Sequence, residues 1–427
     1  MRPLYFRKIE ASSSNQLDCM KCQRLRSYPG GRAEHLVSRR TRLVAKTEKR
    51  TATAVHPEGK HMTTKFLTNL AGLALFSSMA AVPVAAGAVD LDAIGATIAE
   101  HQKLPAFVPA GEPFDAKSCM ADKKLMVVPF SSAVEFTGGV ATRMTQIAKE
   151  IGFRYDHYQT QGQPSQWIQG INQAVTQGYD LVDVLMSDPR VLLPQAMQAD
   201  QAGLKIVAAH ASGFDTPAPE PFQNVHVDYT QAGRLMAQWA ILKTQGKANV
   251  LAIVAEDSFS ANSLQNGIKE VMDECEDCKV QYINVPVTDW ATRMQSTVQS
   301  ALLRDPSVNY ILPIYDGMAQ FVVPAVELTQ SADRVKIATF NGSPYVLQLV
   351  QQGKVEMDIG ESIDWVAHAI VDAEMRMLCG LPPVKDPKVP LYIFDASNAD
   401  TAGKPPQIST GYGDAYLAGY RKLWGLQ

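Results

Sequence analysis

The chain has 427 residues, 46% of them hydrophobic and 19% charged, more than one typical domain and enough to bury two cores. Its charge is unevenly spread. Residues 1–61 carry 14 Lys/Arg against 5 Asp/Glu, whereas residues 89–427 carry 25 against 38, a formal charge of about −13 that argues against nucleic acid as a partner.

Residues 1–61 are Ser/Arg-rich, without sustained apolar periodicity and without the pattern of a helix-turn-helix or zinc module. From Met62, Met-Thr-Thr-Lys precedes an apolar stretch from Phe66 to about Val84 and the small residues Ala85, Ala86, Gly87 and Ala88. A basic start, a short apolar core and small residues at the exit predict a secretory signal peptide over 62–88. Pro83 and the Ala/Ser content make the stretch a poor permanent membrane span. The expectation is that Met62 is the true start, that 1–61 is an upstream non-structural extension, and that cleavage follows Ala86 or Ala88.

Four cysteines follow this segment: Cys119, Cys275, Cys278 and Cys379. An even number in an oxidising compartment suggests disulfides. The spacing Cys275-Glu276-Asp277-Cys278 also suits half a zinc site or a redox pair, but within residues 89–427 no second CxxC or nearby His completes a metal site.

After a short helix near Leu91–His101 and a path marked by Pro105, Pro109 and Pro113, Lys124–Phe130 is an apolar run of strand length. A Gly-containing break over 131–139 follows, and from Val140 the apolar residues Val140, Met144, Ile147, Ala148 and Ile151 recur with helical spacing. The same strand, loop and helix layout returns. Strands are predicted at Leu181–Met186 and Lys205–Ala209, with helices at Gln166–Gln177 and Thr230–Thr244. A second series has strands at Asn249–Val254, Gln281–Pro286, Asn309–Pro313, Val335–Phe340 and Val355–Ile359. Its helices open at Ser258 and cover Thr292–Leu303 and Trp365–Cys379, and a further helix is predicted over Tyr412–Trp424. Strands alternating with helices give an α/β chain of two doubly wound, Rossmann-like lobes. Ligands of such sheets bind at the carboxyl ends of the strands.

The stretches Val207-Ala208-Ala209-His210, Val227-Asp228-Tyr229-Thr230-Gln231-Ala232-Gly233, Tyr315-Asp316-Gly317-Met318-Ala319 and Ile337-Ala338-Thr339-Phe340-Asn341-Gly342-Ser343 are more specific than the alternation. With the signal peptide, their order and spacing from about Lys124 to Pro383 resemble the type I periplasmic substrate-binding proteins of the ribose and sugar-binding group, which share a core with LacI-type repressors. The resemblance implies lobe one over 89–227 plus 363–388 and lobe two over 229–361. Hinges are implied near Asp228, Ser362 and 388–392, with 389–427 a C-terminal segment crossing between lobes.

The same resemblance implies a ligand-binding cleft. Its first loop holds Ser131, Ser132, Val134 and Phe136, and Phe136 either stacks on an apolar ligand face or caps the core. Ribose binders place an Asp-Arg pair after the third strand to grip hydroxyls. His210-Ala211 stands there, so an ordinary pyranose or furanose mode is in doubt. Asn262 falls where the group often has Arg, and Glu361 where it has Gln. Tyr315, Asp316 and Asn341 match hydroxyl-binding positions, Trp290 follows the strand that offers an aromatic platform, and Ser187, Asp188, Asp228 and Tyr229 flank the cleft. For Asp316 an exposed helix N-cap is the alternative, and for Asp188-Pro189 a plain turn. With no Lys or Arg at these positions, an anion would meet carboxylates without a counter-charge. A neutral polyhydroxylated ligand, a sugar or polyol, is favoured, and a cation is open. In this arrangement Cys119 is expected to bridge Cys379, and Cys275 to close a local loop with Cys278.

No GxGxxG, GxSxG, P-loop or HExxH pattern supports catalysis, and no cofactor or metal is implied. The expectation is a monomeric periplasmic protein, not an enzyme, that hands a small solute to an ABC permease in the inner membrane. A sensor that presents its closed form to a receptor histidine kinase is the alternative.

Overall fold

The computed structural model describes residues 89–426. The expected upstream extension and signal peptide lie outside these residues. The described residues form two lobes, each built on one sheet with helices on both faces.

The first sheet has five parallel strands: β1 Lys124–Val127, β2 Arg154–His157, β3 Leu181–Asp183, β4 Lys205–Ala209 and β5 Gln223–Val225, in the order β2-β1-β3-β4-β5. Its central strands are apolar on both sides because helices cover both faces. Leu125, Val127, Val207 and Ala209 face one core, with Met144 and Ile147 of the helix Glu135–Ile151. Met126, Val182 and Ala208 face the other, with Trp167 and Leu192. The helix Glu135–Ile151 stops at Gly152, whose φ of 110° is the left-handed conformation that closes a helix and suits glycine.

The second sheet holds β6 Asn249–Val254, β7 Lys279–Asn284, β8 Tyr310–Pro313, β9 Lys336–Asn341, β10 Met357–Gly360 and β11 Tyr392–Asp395, in the order β11-β10-β9-β8-β6-β7. Only β11 is antiparallel, pairing Gly360 with Tyr392 and Met357 with Asp395. The helices Tyr229–Lys243 and Ala261–Asp273 pack backbone to backbone. A Cβ on Gly233 would strike the Leu264 carbonyl, and one on Gly267 the Thr230 carbonyl.

The chain passes between lobes at 226–228, at 361–362 and at 388–391. After the second passage, the helix Ile363–Leu378 returns to lobe one, where Trp365, Val366 and Ile370 join its core. After β11 the chain returns once more. The helix Ala415–Leu423 lays Tyr416, Tyr420 and Leu423 on the same core, and Trp424 Nε1 donates to Asp372 at 2.8 Å. The lead-in differs from the expected partition. Ile94 and Ile98 of the helix Leu91–His101 join the second lobe's core, whereas the resemblance implies lobe one from residue 89 onward. Apolar spacing shows that a helix has a buried face, but not which lobe buries it. Cys119 is joined to Cys379 with Cα atoms 5.8 Å apart, and Cys275 to Cys278 with Cα atoms 5.2 Å apart.

Candidate functional site

The first sheet changes direction between β1 and β3 and the second between β6 and β8, and in open α/β sheets such switch points leave a crevice at the carboxyl ends of the strands. The two crevices face one another across a cavity of about 120 Å³. Lobe one contributes Phe130 and Val134 from the loop after β1, Phe136 and Thr137 from the helix behind it, Met186 after β3 and His210 after β4. Lobe two contributes Tyr229, Ser258 and Ser260 after β6, Val287 and Trp290 after β7, Tyr315, Asp316 and Gly317 after β8, and Asn341 at the end of β9.

Local backbone geometry aims several of these side chains. Met186, His210 and Asn341 have φ of 59°, 51° and 147°, a region that L-residues rarely adopt and that clusters at functional sites. Trp290 opens a π-helical turn, Trp290–Met294, where a regular helix was expected from Thr292. Such turns recur at functional sites. The Trp290 indole N–H donates to the Val285 carbonyl at 3.1 Å, and its ring lies 6.3 Å from that of Tyr315.

His210 is the joint between the lobes. Its Nε2 lies 2.9 Å from Glu361 Oε2, and its Nδ1 lies 2.7 Å from the Tyr229 hydroxyl. A carboxylate only accepts, so Nε2 carries the hydrogen toward Glu361, and the Tyr229 hydroxyl, also 2.8 Å from the His210 carbonyl, meets both that oxygen and Nδ1. Burial raises the Tyr229 phenol well above its usual range, which keeps it a donor. Glu361 is buried behind His210, and its Oε1 finds no hydrogen-bond partner among the described residues. Ser258, Ser260 and Tyr315 form a closed ring of hydroxyls, with Tyr315 Oη 2.8 Å from each serine Oγ. Burial pushes the Tyr315 phenol up to about 12.

Asp316 is the sole carboxylate in the lining and is 4% exposed. Its Oδ2 accepts from the Ser343 amide at 2.7 Å. Burial raises its carboxyl from 3.8 to about 6, held down in part by that hydrogen bond and pushed further by the Glu135 charge. No Lys or Arg joins the lining among the described residues.

Phe136, His210, Tyr229, Trp290, Tyr315, Asp316 and Asn341, named from the sequence, therefore share one cavity. Seven others do not line it. Ser131 is buried beside it, and Ser132 is turned onto His157, 3.0 Å away, and the Thr160 amide. Ser187 is buried with its hydroxyl unpartnered among the described residues. Asp188 caps the helix Pro189–Gln201 and pairs with Arg190. Asp228 caps the helix Tyr229–Lys243, Asn262 is exposed near the start of its helix, and Glu361 stands behind His210. The sequence reading did not single out Phe130, Thr137, Met186, Ser258, Ser260, Val287 or Gly317. All but Thr137, which lies in the helix Glu135–Ile151, follow a strand's carboxyl end within about six residues, so strand-end position is a better guide than polarity.

Among known proteins, the chain matches the family model described as "Periplasmic binding protein domain" over residues 125–382. It is 22% identical to the D-ribose/D-allose-binding protein of Pseudomonas aeruginosa over 51% of this chain and 69% of that protein. Its fold is similar to an ABC transporter solute binding protein from Agrobacterium vitis with bound allitol, at TM-score 0.59 and 15% identity, covering 66% of this chain and 98% of the other. A periplasmic solute binding protein from Actinobacillus succinogenes with bound D-allose gives 0.57 at 19% identity, covering 65% and 99%. The fructose binding periplasmic domain of a hybrid two component system gives 0.58 at 14% identity, covering 65% and 92%. With more than half its length matched, this chain belongs to the periplasmic binding protein domain family, a family of binding proteins.

Proposed function

We propose that the chain is an exported, periplasmic solute-binding protein that captures a small polar solute of the sugar or polyol type and delivers it to an ABC importer. The observation that supports this most is the cavity itself, which takes lining from strand-end loops of both lobes. In this reading the lobes move about the crossings near Asp228, Ser362 and 388–392. Closure around the solute creates a composite surface, which the permease distinguishes from the open form. Phe136 and Trp290 supply apolar contact, and Asp316 and Asn341 accept and donate hydrogen bonds to the solute. The protein acts as a monomer, without cofactor and without chemistry on its ligand.

A second reading has the same capture step and a different listener, a receptor histidine kinase. The likeness to the periplasmic domain of a two component system favours keeping it. A thermal-shift screen of sugars, polyols, small amines and small aromatics, with a turnover assay on every hit, tests the proposal. Stabilisation by a sugar or polyol without product is expected. Product formation, or stabilisation by none of them, overturns it.

A further inference from the structure

The side chains available to hydrogen-bond a solute are unevenly divided between the two walls of the cavity. On lobe one Phe130, Val134, Phe136 and Met186 are apolar. The two remaining side chains there are engaged: Thr137 donates to the Ser131 carbonyl, and His210 is held at both ring nitrogens. On lobe two Val287 and Trp290 are apolar and Ser258, Ser260 and Tyr315 close a ring of hydroxyls on one another, while the carboxyl of Asp316 and the amide of Asn341 line the cavity. A fully hydroxylated sugar between these walls buries several hydroxyls against aromatic and thioether surface, where no donor or acceptor meets them. Each such hydroxyl lowers affinity by roughly tenfold or more.

We propose that the ligand is a neutral, partly deoxygenated sugar or polyol, bound with its hydroxyl edge on Asp316 and Asn341 of lobe two and its methyl or methylene face under the apolar wall of lobe one. This rests on the capture reading and specifies its ligand. The ligand seats on lobe two first, and lobe one closes over it as an apolar cover. Val134 is 43% exposed, so the rim of that wall reaches solvent.

The test is calorimetric titration of the full chain with pairs that differ by one hydroxyl: D-allose and 6-deoxy-D-allose, L-galactose and L-fucose, D-ribose and 2-deoxy-D-ribose, with choline as a cationic probe. The deoxy member of any pair that binds is expected to bind about tenfold tighter or more. Met186→Gln, which sets an amide on the lobe-one wall, is expected to erase or reverse that preference; Val134→Gln at the exposed rim serves if the first variant does not fold. Tighter binding of the hydroxylated members, or an unchanged ratio in a folded variant, overturns the inference and leaves capture standing. Choline binding above every sugar does the same. Silence from all probes, with scattering curves that no probe alters, overturns capture and the inference together.

Discussion

Asp316→Asn separates the cost of the site from its use. The folded carboxyl holds its proton up to about pH 6, while an ordinary one releases it near 3.8. Between these values the folded state binds more protons than the unfolded one, so this group makes stability fall as pH rises through that window and keeps it lowered above it. Raising the carboxyl from 3.8 to about 6 is worth about 3 kcal/mol. Asparagine fills the same volume, still accepts from the Ser343 amide, and carries no charge to desolvate. The ligand-free variant should therefore exceed the parent in stability by about 2–3 kcal/mol at pH 7.5, with the gap closing to under about 1 kcal/mol near pH 4. Burial also raises Asp183 to about 7 and Asp358 well above its usual range, so the parent's own profile has several contributors. The difference between parent and variant, read from urea unfolding at a series of pH values, isolates Asp316 together with its repulsion of Asp358. The gain should come with weaker ligand binding, the usual exchange at a site held ready for a partner. A variant no more stable than the parent at pH 7.5, or a gap indifferent to pH, refutes the reasoning.

Three further outcomes are expected. His210→Ala strips Glu361 of its hydrogen-bond partner in a buried position and should cost about 1–3 kcal/mol. Adding Glu361→Ala should recover part of that loss, and a double variant no better than His210→Ala contradicts the pairing. Gly267→Ala gains about 1 kcal/mol of helix propensity yet should lower stability, because its Cβ meets the Thr230 carbonyl and the Arg234 amide of the neighbouring helix. A rise in the melting midpoint would show that those helices can separate. Cys119→Ser and Cys379→Ser should each lower stability by roughly 3–5 kcal/mol, since their bridge closes a separation of 260 residues, and the double variant should lose no more than either single. Unequal single losses in non-reducing urea melts count against the bridge.

The two-lobe α/β architecture was legible because buried parallel strands read as apolar runs between helices of regular spacing. The strands left unread lack that signature. β2 carries Arg154, Asp156 and His157 at a sheet edge, and β5 and β11 are short strands at the ends of their sheets. The residues named from the sequence that line the cavity are those where strand-end position coincides with aromatic or polar character, as at His210, Trp290 and Asp316. Polarity alone misled at Asp188, Asp228 and Asn262, where a helix start explains the residue without a ligand. It also hid Met186 and Phe130, whose role in the cavity follows from loops that the sequence does not fold on the page. Glu361, expected at the ligand, lies outside the lining and is hydrogen-bonded to His210 within it.

The central claim is that two lobes close on one small solute, and the most direct measurement is the distance between them. Spin labels go at Val191→Cys, in the helix after β3 of lobe one, and Thr288→Cys, in the turn after β7 of lobe two, both exposed positions. A saturating ligand should shorten and narrow the distance distribution between them. A distribution that is the same with and without a bound ligand contradicts the account.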